Sequence, residues 1–108
     1  MTEAVFFKKD DLIVGFSVKG HSSDSADDFE GKLLCAAVSS AAYMTANTMS
    51  EIIGATLEAE IDDAVMTIGI VSNAAKCQEI LLGFRLHLTE LQKDNPQKLK
   101  VSTLNSEV

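Results

Sequence analysis

The chain has 108 residues, of which 46% are hydrophobic, and a formal net charge of −7 at pH 7. This length suits a single domain over residues 1–108, which can bury one apolar core without a metal or a disulfide. The negative charge argues against nucleic acid as a direct ligand, because phosphate binding needs a basic surface, and it favours a basic protein partner instead.

The first twenty residues alternate in the manner of two β-strands. Ala4–Lys9 and Leu12–Lys19 are the predicted strands, and the polar turn between them is short enough for a hairpin. In the second strand the alternation indicates a sheet with one buried face. The residues expected on that face are Leu12, Val14, Phe16 and Val18. His21 is then expected just beyond the end of this strand.

A serine-rich and acidic segment, Ser22–Glu30, precedes a long apolar stretch. It is either a solvated loop or a flap that orders over a bound substrate. A helix is predicted from about Lys32 to Ile53, with Gly54 as its C-terminal stop. The many small residues of this helix allow another backbone to approach closely, so we expect it to be central and packed on more than one side.

Cys35 is expected where this helix begins. Unpaired N–H groups and the helix dipole favour a thiolate at such a position. The imidazole of His21 could then serve as base and proton donor, which is the minimum equipment for nucleophilic thiol chemistry. The structural alternative is a small buried cysteine and a solvated histidine, and composition alone favours that alternative.

The second half of the chain repeats the strand–strand–helix pattern. Thr56–Ile61 and Ala64–Val71 are predicted to form a hairpin around Asp62-Asp63. Leu57, Ala59 and Ile61 are expected to face inward. Glu58 and Glu60 alternate with them, which favours a solvated strand face over an acid–base pair or a metal site.

A second helix is predicted from about Ala74 to Lys93, capped by Ser72 or Asn73. Cys77 falls on its apolar stripe and is expected to be a structural thiol, whereas His87 lies beside the stripe, at its boundary or on the surface.

Leu99–Leu104 is the last predicted strand, which gives the order β-β-α-β-β-α-β. Helices on a mostly antiparallel sheet make an α+β domain.

Two cysteines without regular spacing and no signal peptide indicate a reducing cytoplasm. No apolar run approaches the ~20 residues that span a bilayer, so no membrane partner is expected. A zinc site is disfavoured because its four potential ligands lack the usual spacing. Those residues are His21, Cys35, Cys77 and His87.

Gly20-His21 and the string Cys35-Ala36-Ala37-Val38-Ser39 resemble the ribosomal-processing cysteine protease family, Prp. Its members show a Gly-His-Ala motif after the second strand and an Asp-Ile-Val-Cys-Ala-Ala-Val-Ser motif opening the first helix. The resemblance covers the order of elements along nearly the whole chain. It implies an α+β fold, a homodimer, no cofactor, and Cys35 and His21 as the catalytic pair.

The chain departs from the family pattern near the cysteine. Lys32 stands where the family has an acidic residue, Glu30 replaces an expected glycine, and Ser22 replaces the alanine after the histidine. Asp27, Asp28 or Glu30 could supply the missing carboxylate.

Two functions follow from these residues. The leading hypothesis is a cysteine endopeptidase that removes the N-terminal extension of a large-subunit ribosomal protein. The Cys35 thiolate would attack the scissile carbonyl, His21 would pass a proton to the leaving amine, and N–H groups at the helix start would stabilise the oxyanion. The alternative, suggested by the missing acid, is a catalytically weak, ribosome-associated binding module of the same fold.

Overall fold

The computed structural model describes residues 1–20 and 29–105. The strands and helices follow the predicted order, β-β-α-β-β-α-β, which confirms the α+β class. The elements are β1 (Thr2–Lys9), β2 (Leu12–Lys19), α1 (Phe29–Asn47), β3 (Leu57–Ile61), β4 (Val65–Ile70), α2 (Gln78–Asp94) and β5 (Leu99–Asn105). A π-helical turn, Thr48–Ile53, extends α1, and a 3₁₀ turn, Ala74–Cys77, leads into α2.

The five strands form one sheet in the order β3-β4-β2-β1-β5. The pairs β1–β2, β2–β4 and β3–β4 are antiparallel, and only β1–β5 among the described strands is parallel. The helices α1 and α2 contact each other and both contact β2, so they lie on the same face of the sheet. The hydrophobic core fills the space between them and the sheet.

Aromatic residues occupy the centre of this core. Phe6 of β1 and Phe16 of β2 are fully buried, and Phe84 of α2 packs edge-on against both, with ring centroids 5.4 and 5.0 Å away. Such tilted aromatic pairs add about 0.5–1.5 kcal/mol beyond the area that they bury. This cluster fixes α2 above the central strands, and α1 also contacts β1 and β2.

A β-bulge interrupts the hairpin of β1 and β2. Phe7 pairs with Gly15 but Lys8 pairs with Ile13, so Val14 is an extra residue on β2. Because one extra residue reverses the alternation, Ile13 is buried, whereas Val14 and Leu12 are only half-buried. The prediction that Leu12 and Val14 share the buried face of Phe16 is therefore wrong.

The side chain of Gln78 completes the hydrogen bonding of the bulge. The Ile13 N–H donates to Gln78 Oε1 at 2.9 Å, and Gln78 Nε2 donates to the Ile13 carbonyl, also at 2.9 Å. The amide thus gives both backbone groups of Ile13 a partner beside the bulge, which matters because an unpaired buried backbone group costs about 1–3 kcal/mol. It also ties the beginning of α2 to the sheet.

The end of the first helical segment is as predicted, but its packing is not. Gly54 adopts a left-handed conformation (φ 84°) and its N–H bonds to Met49 O, so it is the predicted C-terminal stop. Val38 and Ala42 face the core, whereas Ala37 and Ser40 are exposed. Against residues 1–20 and 29–105, α1 is therefore packed on one side only, which differs from the expectation from its small residues.

The second hairpin forms with the predicted turn, but β3 lies at the edge of the sheet. Glu58 and Glu60 are exposed as predicted. Ala59 and Ile61 lie on the predicted inward face, where they pair with the buried Ile68 and Met66, but both are exposed because β3 is the edge strand.

The approach to α2 differs from the predicted cap. Asn73 is left-handed (φ 64°) and its side chain makes no capping bond, and Ser72 Oγ accepts a bond from the Thr56 N–H instead. Cys77 is fully buried and His87 is exposed, as predicted. None of the helices in the described ranges is long and apolar enough to cross a membrane.

Candidate active site

Cys35 is half-buried and is the seventh residue of α1. At about 3.6 residues per turn, it lies almost two turns from the beginning of the helix. Only the first four N–H groups of a helix lack partners, and the dipole effect is concentrated in the first turn. The predicted position of Cys35 at the helix start is therefore wrong, and the oxyanion role of the N–H groups at the helix start stays a prediction. Glu30 lies in the first turn of the helix, where a negative charge is favourable.

The thiol of Cys35 packs directly against the backbone of Gly20. A Cβ atom placed on Gly20 would lie 2.5 Å from Cys35 Sγ, closer than any real Cβ contact. Gly20 is held in place because its N–H donates to the Ala64 carbonyl at 2.9 Å, one step beyond the last β2–β4 pair. The end of β2 and the side chain of Cys35 are thus in contact, and only a glycine permits that approach.

An open cavity of about 200 Å³ lies in front of this contact. One wall is the face of α1 that carries Cys35, Ser39 and Tyr43, spaced four residues apart on one side of the helix. The opposite wall is the turn between β3 and β4, with Val18 and Gly20 of the β2 end between the two walls. The described residues therefore leave the sulfur open to a peptide from solvent.

The turn opposite Cys35 is acidic. Asp62 shapes it, because its Oδ1 accepts bonds from the N–H groups of Ala64 and Val65 at 3.1 and 3.0 Å. Asp63 also lines the cavity, and no basic residue does so in the described part of the chain. This wall gives the cavity a negative potential that attracts positively charged groups.

From the sequence, Ser39 lies one turn after Cys35 and could reach the site, although a local packing and hydrogen-bonding role was expected; Tyr43 was not expected there. Their spacing from Cys35 is a sequence signal that places all three on one helix face. The contribution of Asp62 and Asp63 had no comparable signal, because it depends on how β4 pairs with β2.

The other predicted site residues divide into two groups. His21, Asp27 and Asp28 lie outside the described residues. Glu30 and Lys32 are exposed on the first turn of α1. The Glu30 carboxylate forms an ion pair with Lys98 at 3.4 Å and does not line the Cys35 cavity. The structure therefore does not place Glu30 beside Cys35, where it could supply the acid that is missing at position 32.

The second thiol belongs to the core. Cys77 is fully buried, and desolvation by burial raises the pKa of its thiol above the ordinary value. In the ranges 1–20 and 29–105, no three His, Cys, Asp or Glu side chains are grouped so as to hold a metal ion.

The protein carries a half-exposed thiol at an open cavity on an α+β scaffold, and its class is that of the cysteine peptidases. The particular family is shown by residues 1–100, which match the family model described as cysteine protease Prp. The chain belongs to the Prp family, as the resemblance in its sequence predicted. No curated protein sequence matches the chain significantly.

Solved structures share this fold. SMU.848 from Streptococcus mutans superposes with a TM-score of 0.85 at 23% identity, over 98% of this chain and 99% of the other. The ribosomal processing protease Prp of S. aureus, in complex with a covalently linked product peptide, gives 0.82 at 16% identity, over 96% and 100%. The same protease with a substrate peptide gives 0.83 at 15%, also over 96% and 100%. At these identities the similarity is one of fold.

Proposed function

We propose that this protein removes the N-terminal extension of a large-subunit ribosomal protein, with Cys35 as nucleophile and His21 as base and acid. One observation carries the assignment: the Cys35 sulfur faces an open cavity and touches Gly20, the residue directly before His21. The S. aureus relative of the same fold is a ribosomal processing protease that forms complexes with a substrate peptide and a covalently linked product peptide. That supports peptide cleavage through a covalent intermediate.

The chemistry proceeds in two steps. The Cys35 thiolate attacks the scissile carbonyl carbon, the C–N bond breaks, and the His21 imidazolium gives its proton to the departing amine. A thioester then links Cys35 to the acyl half of the substrate. Water attacks this thioester while the neutral imidazole takes its proton, which releases the carboxylate product and restores the thiolate–imidazolium pair.

The charge of the protein supports a substrate with basic residues near the cut. The net charge is −7, and Asp62 and Asp63 stand opposite the nucleophile. Complementary charge speeds the encounter and orients the chain more than it adds affinity. Cys35 and Cys77 are both free, as nucleophilic chemistry by Cys35 in a reducing cytoplasm requires.

A peptide cleavage assay tests the proposal. The substrate is a synthetic peptide that spans the N-terminal extension of the host's own ribosomal protein, and mass spectrometry locates the cut. The wild type should cut it once, Cys35→Ala should abolish the cut, and Cys77→Ala should retain it. His21→Ala should reduce the rate by roughly 10²–10⁴-fold, the usual contribution of general acid–base catalysis.

Two results would overturn parts of this proposal. Cleavage that persists in Cys35→Ala would remove the assigned nucleophile. Binding of the peptide by the wild type without any cut would instead favour the weakly catalytic binding module.

We also propose that the protein is a homodimer through the exposed side of α1. Leu33 and Met44 on this helix are 54% and 53% exposed, with exposed Ala37 and Ser40 between them. An apolar stripe of this kind on a small domain is typical of a protein contact. A twofold dimer would bring the same stripe from each copy together.

Light scattering at micromolar concentration tests the dimer. Ser40→Arg places a charge at the centre of the stripe in both copies and should give a monomer. Ala75→Arg, at an exposed position on the 3₁₀ turn before α2, is the matched control and should remain dimeric. A wild-type monomer at this concentration would contradict the proposal.

A further inference from the structure

The turn between β3 and β4 is closed by the side chain of Asp62. Its Oδ1 accepts hydrogen bonds from two successive backbone groups, the N–H of Ala64 at 3.1 Å and the N–H of Val65 at 3.0 Å. The neighbouring Asp63 lines the same cavity, but its carboxylate forms no hydrogen bond or ion pair with residues 1–20 or 29–105. The two adjacent carboxylates therefore differ, because only that of Asp62 holds the turn.

The peptide group between Ala64 and Val65 is held from both sides. Its N–H donates to Asp62 Oδ1, and its carbonyl accepts a hydrogen bond from the Gly20 N–H at 2.9 Å. The N–H and C=O of a trans peptide lie in one plane and point in opposite directions, so fixing the N–H also aims the carbonyl. A charged acceptor forms a stronger hydrogen bond than a neutral one and polarises the peptide beyond it. The Asp62 carboxylate thus acts on Gly20 through a single peptide plane.

Regular sheet pairing does not extend to this point. The last β2–β4 pair is Lys19 with Val65, so Gly20 and Ala64 lie one step beyond it. Asp62 and Ala64 are exposed, and they belong to a hairpin whose outer strand is the edge of the sheet. Exposed backbone hydrogen bonds at such a place open easily unless side chains secure them. The position of Gly20 therefore depends on the turn that Asp62 holds.

Gly20 is the point where this turn meets the proposed catalytic pair. It touches the sulfur of Cys35, and it is bonded directly to His21 in the chain. A displacement of about 1 Å between reacting groups can reduce the rate roughly a hundredfold. Loss of the Asp62 hydrogen bonds should therefore disturb the reacting groups, although Asp62 itself takes no part in the chemistry.

We infer that Asp62 is a positioning residue for the peptidase reaction, which holds Gly20 against Cys35 through the Ala64–Val65 peptide. This inference rests on the proposed peptidase function and adds a residue to the machinery of that site. Charge alone would not distinguish Asp62, since Asp63 contributes the same charge to the same cavity. The two hydrogen bonds to the turn are what distinguish it.

The test compares asparagine and alanine at each of the two acidic positions. Asp62→Asn removes the charge but keeps a side-chain oxygen that can accept both N–H groups, whereas Asp62→Ala removes the acceptor as well. Asp63→Asn and Asp63→Ala are the matched pair, because they remove the same charge from the same cavity. Steady-state kinetics with the peptide of the ribosomal extension give kcat and KM, and NMR gives the amide hydrogen exchange of Gly20.

Asp62→Ala should have a kcat roughly tenfold or more below that of Asp62→Asn, with a similar KM, because the loss is one of geometry at the reacting atoms. The two variants at position 63 should have the same kcat as each other. The Gly20 N–H should exchange faster in Asp62→Ala than in Asp62→Asn. The reference amide is that of Ile13 near the other end of β2, which donates to Gln78 Oε1 and should keep its protection in every variant.

Equal kcat values for the two variants at position 62 would overturn the inference, even if the wild type cleaves the peptide. Unchanged exchange of the Gly20 N–H in Asp62→Ala would overturn it as well. An equal loss of protection at Gly20 and Ile13 would also overturn it, because that pattern shows general destabilisation of the fold. If the wild type cuts no peptide but the Gly20 exchange follows the expected order, the proposed function fails and the hold of Asp62 on Gly20 stands.

Discussion

Gly20 and Cys35 are in contact across the candidate site, with no room between the glycine Cα and the sulfur for even one additional carbon atom. The contact joins the end of β2 to α1 at the nucleophile. Gly20 does not have the positive φ that requires a glycine, in contrast to Gly54. The requirement for glycine at this position is therefore one of space beside the sulfur, and substitution should affect chemistry before stability.

Gly20→Ala should lower activity strongly and stability little. The new methyl group must displace Cys35 Sγ, and a terminal sulfur can move by rotation at an energetic cost of about 0.5–1.5 kcal/mol. A displacement of about 1 Å at a reacting atom can reduce the rate roughly a hundredfold. We expect that loss in kcat/KM for the peptide, together with a changed alkylation rate of Cys35 by iodoacetamide. Gly83→Ala, where a Cβ would meet nothing within 4 Å, is the control and should leave both rates unchanged.

Gly15 and Gly69 face each other across β2 and β4 and provide a matched pair for stability. A Cβ on Gly15 would lie 2.5 Å from the carbonyl oxygen of Ile68, a backbone atom that cannot rotate away. A Cβ on Gly69 would meet nothing within 4 Å. Gly15→Ala should therefore lower the free energy of unfolding by about 1–3 kcal/mol, as overpacking does.

Gly69→Ala should leave the free energy of unfolding unchanged or raise it by up to about 1 kcal/mol, because glycine loses the most conformational freedom on folding. Urea denaturation measures both variants. Equal free energies of unfolding for the two would contradict the close approach at Gly15.

The buried thiol of Cys77 makes stability depend on pH in the alkaline range. Its pKa is raised in the folded protein, so the folded state keeps the proton when the unfolded chain has lost it. The stabilisation from the neutral buried thiol is complete below the unfolded pKa, about 8.5. It is lost as the pH rises through the folded value. Thermal unfolding of wild type and Cys77→Ala should therefore give a steeper loss of stability for the wild type above that pH. Parallel pH profiles would show that Cys77 does not contribute.

The sequence was sufficient to predict the order of the elements, because strand alternation and helical periodicity are local signals. The prediction failed where one extra residue in β2 changed the register of its pairing with β1. The bulge at Val14 reverses the face of Ile13, and the amide that satisfies Ile13 comes from Gln78, distant in the sequence. No local pattern predicts such a pairing.

The candidate site was predictable to a similar degree. The motif Cys35-Ala36-Ala37-Val38-Ser39 was recognisable from the residues alone. The position of Cys35 within α1, however, depended on Glu30 and Gly31 being helical. The opposite wall could not be predicted, because Asp63 reaches the cavity only through the pairing of β4 with β2. Long-range pairing therefore determined which charges face the nucleophile.

The last prediction concerns Lys32, the fourth residue of α1, which stands where the Prp pattern has an acid. With Glu30 paired to Lys98, restoring a carboxylate at position 32 should increase activity. In the proposed mechanism an imidazolium donates the proton, and a carboxylate three residues before Cys35 attracts a cation whereas a lysine repels it. We expect kcat/KM to be highest for Lys32→Asp, intermediate for Lys32→Asn and lowest for the wild type. The asparagine variant reports the removal of the positive charge alone. Lys32→Asp should also raise the free energy of unfolding by about 0.3–1 kcal/mol, because an acid in the first turn is favourable. Equal activities of the aspartate and asparagine variants, with the aspartate variant stabilised as expected, would show that this site works without a carboxylate at position 32.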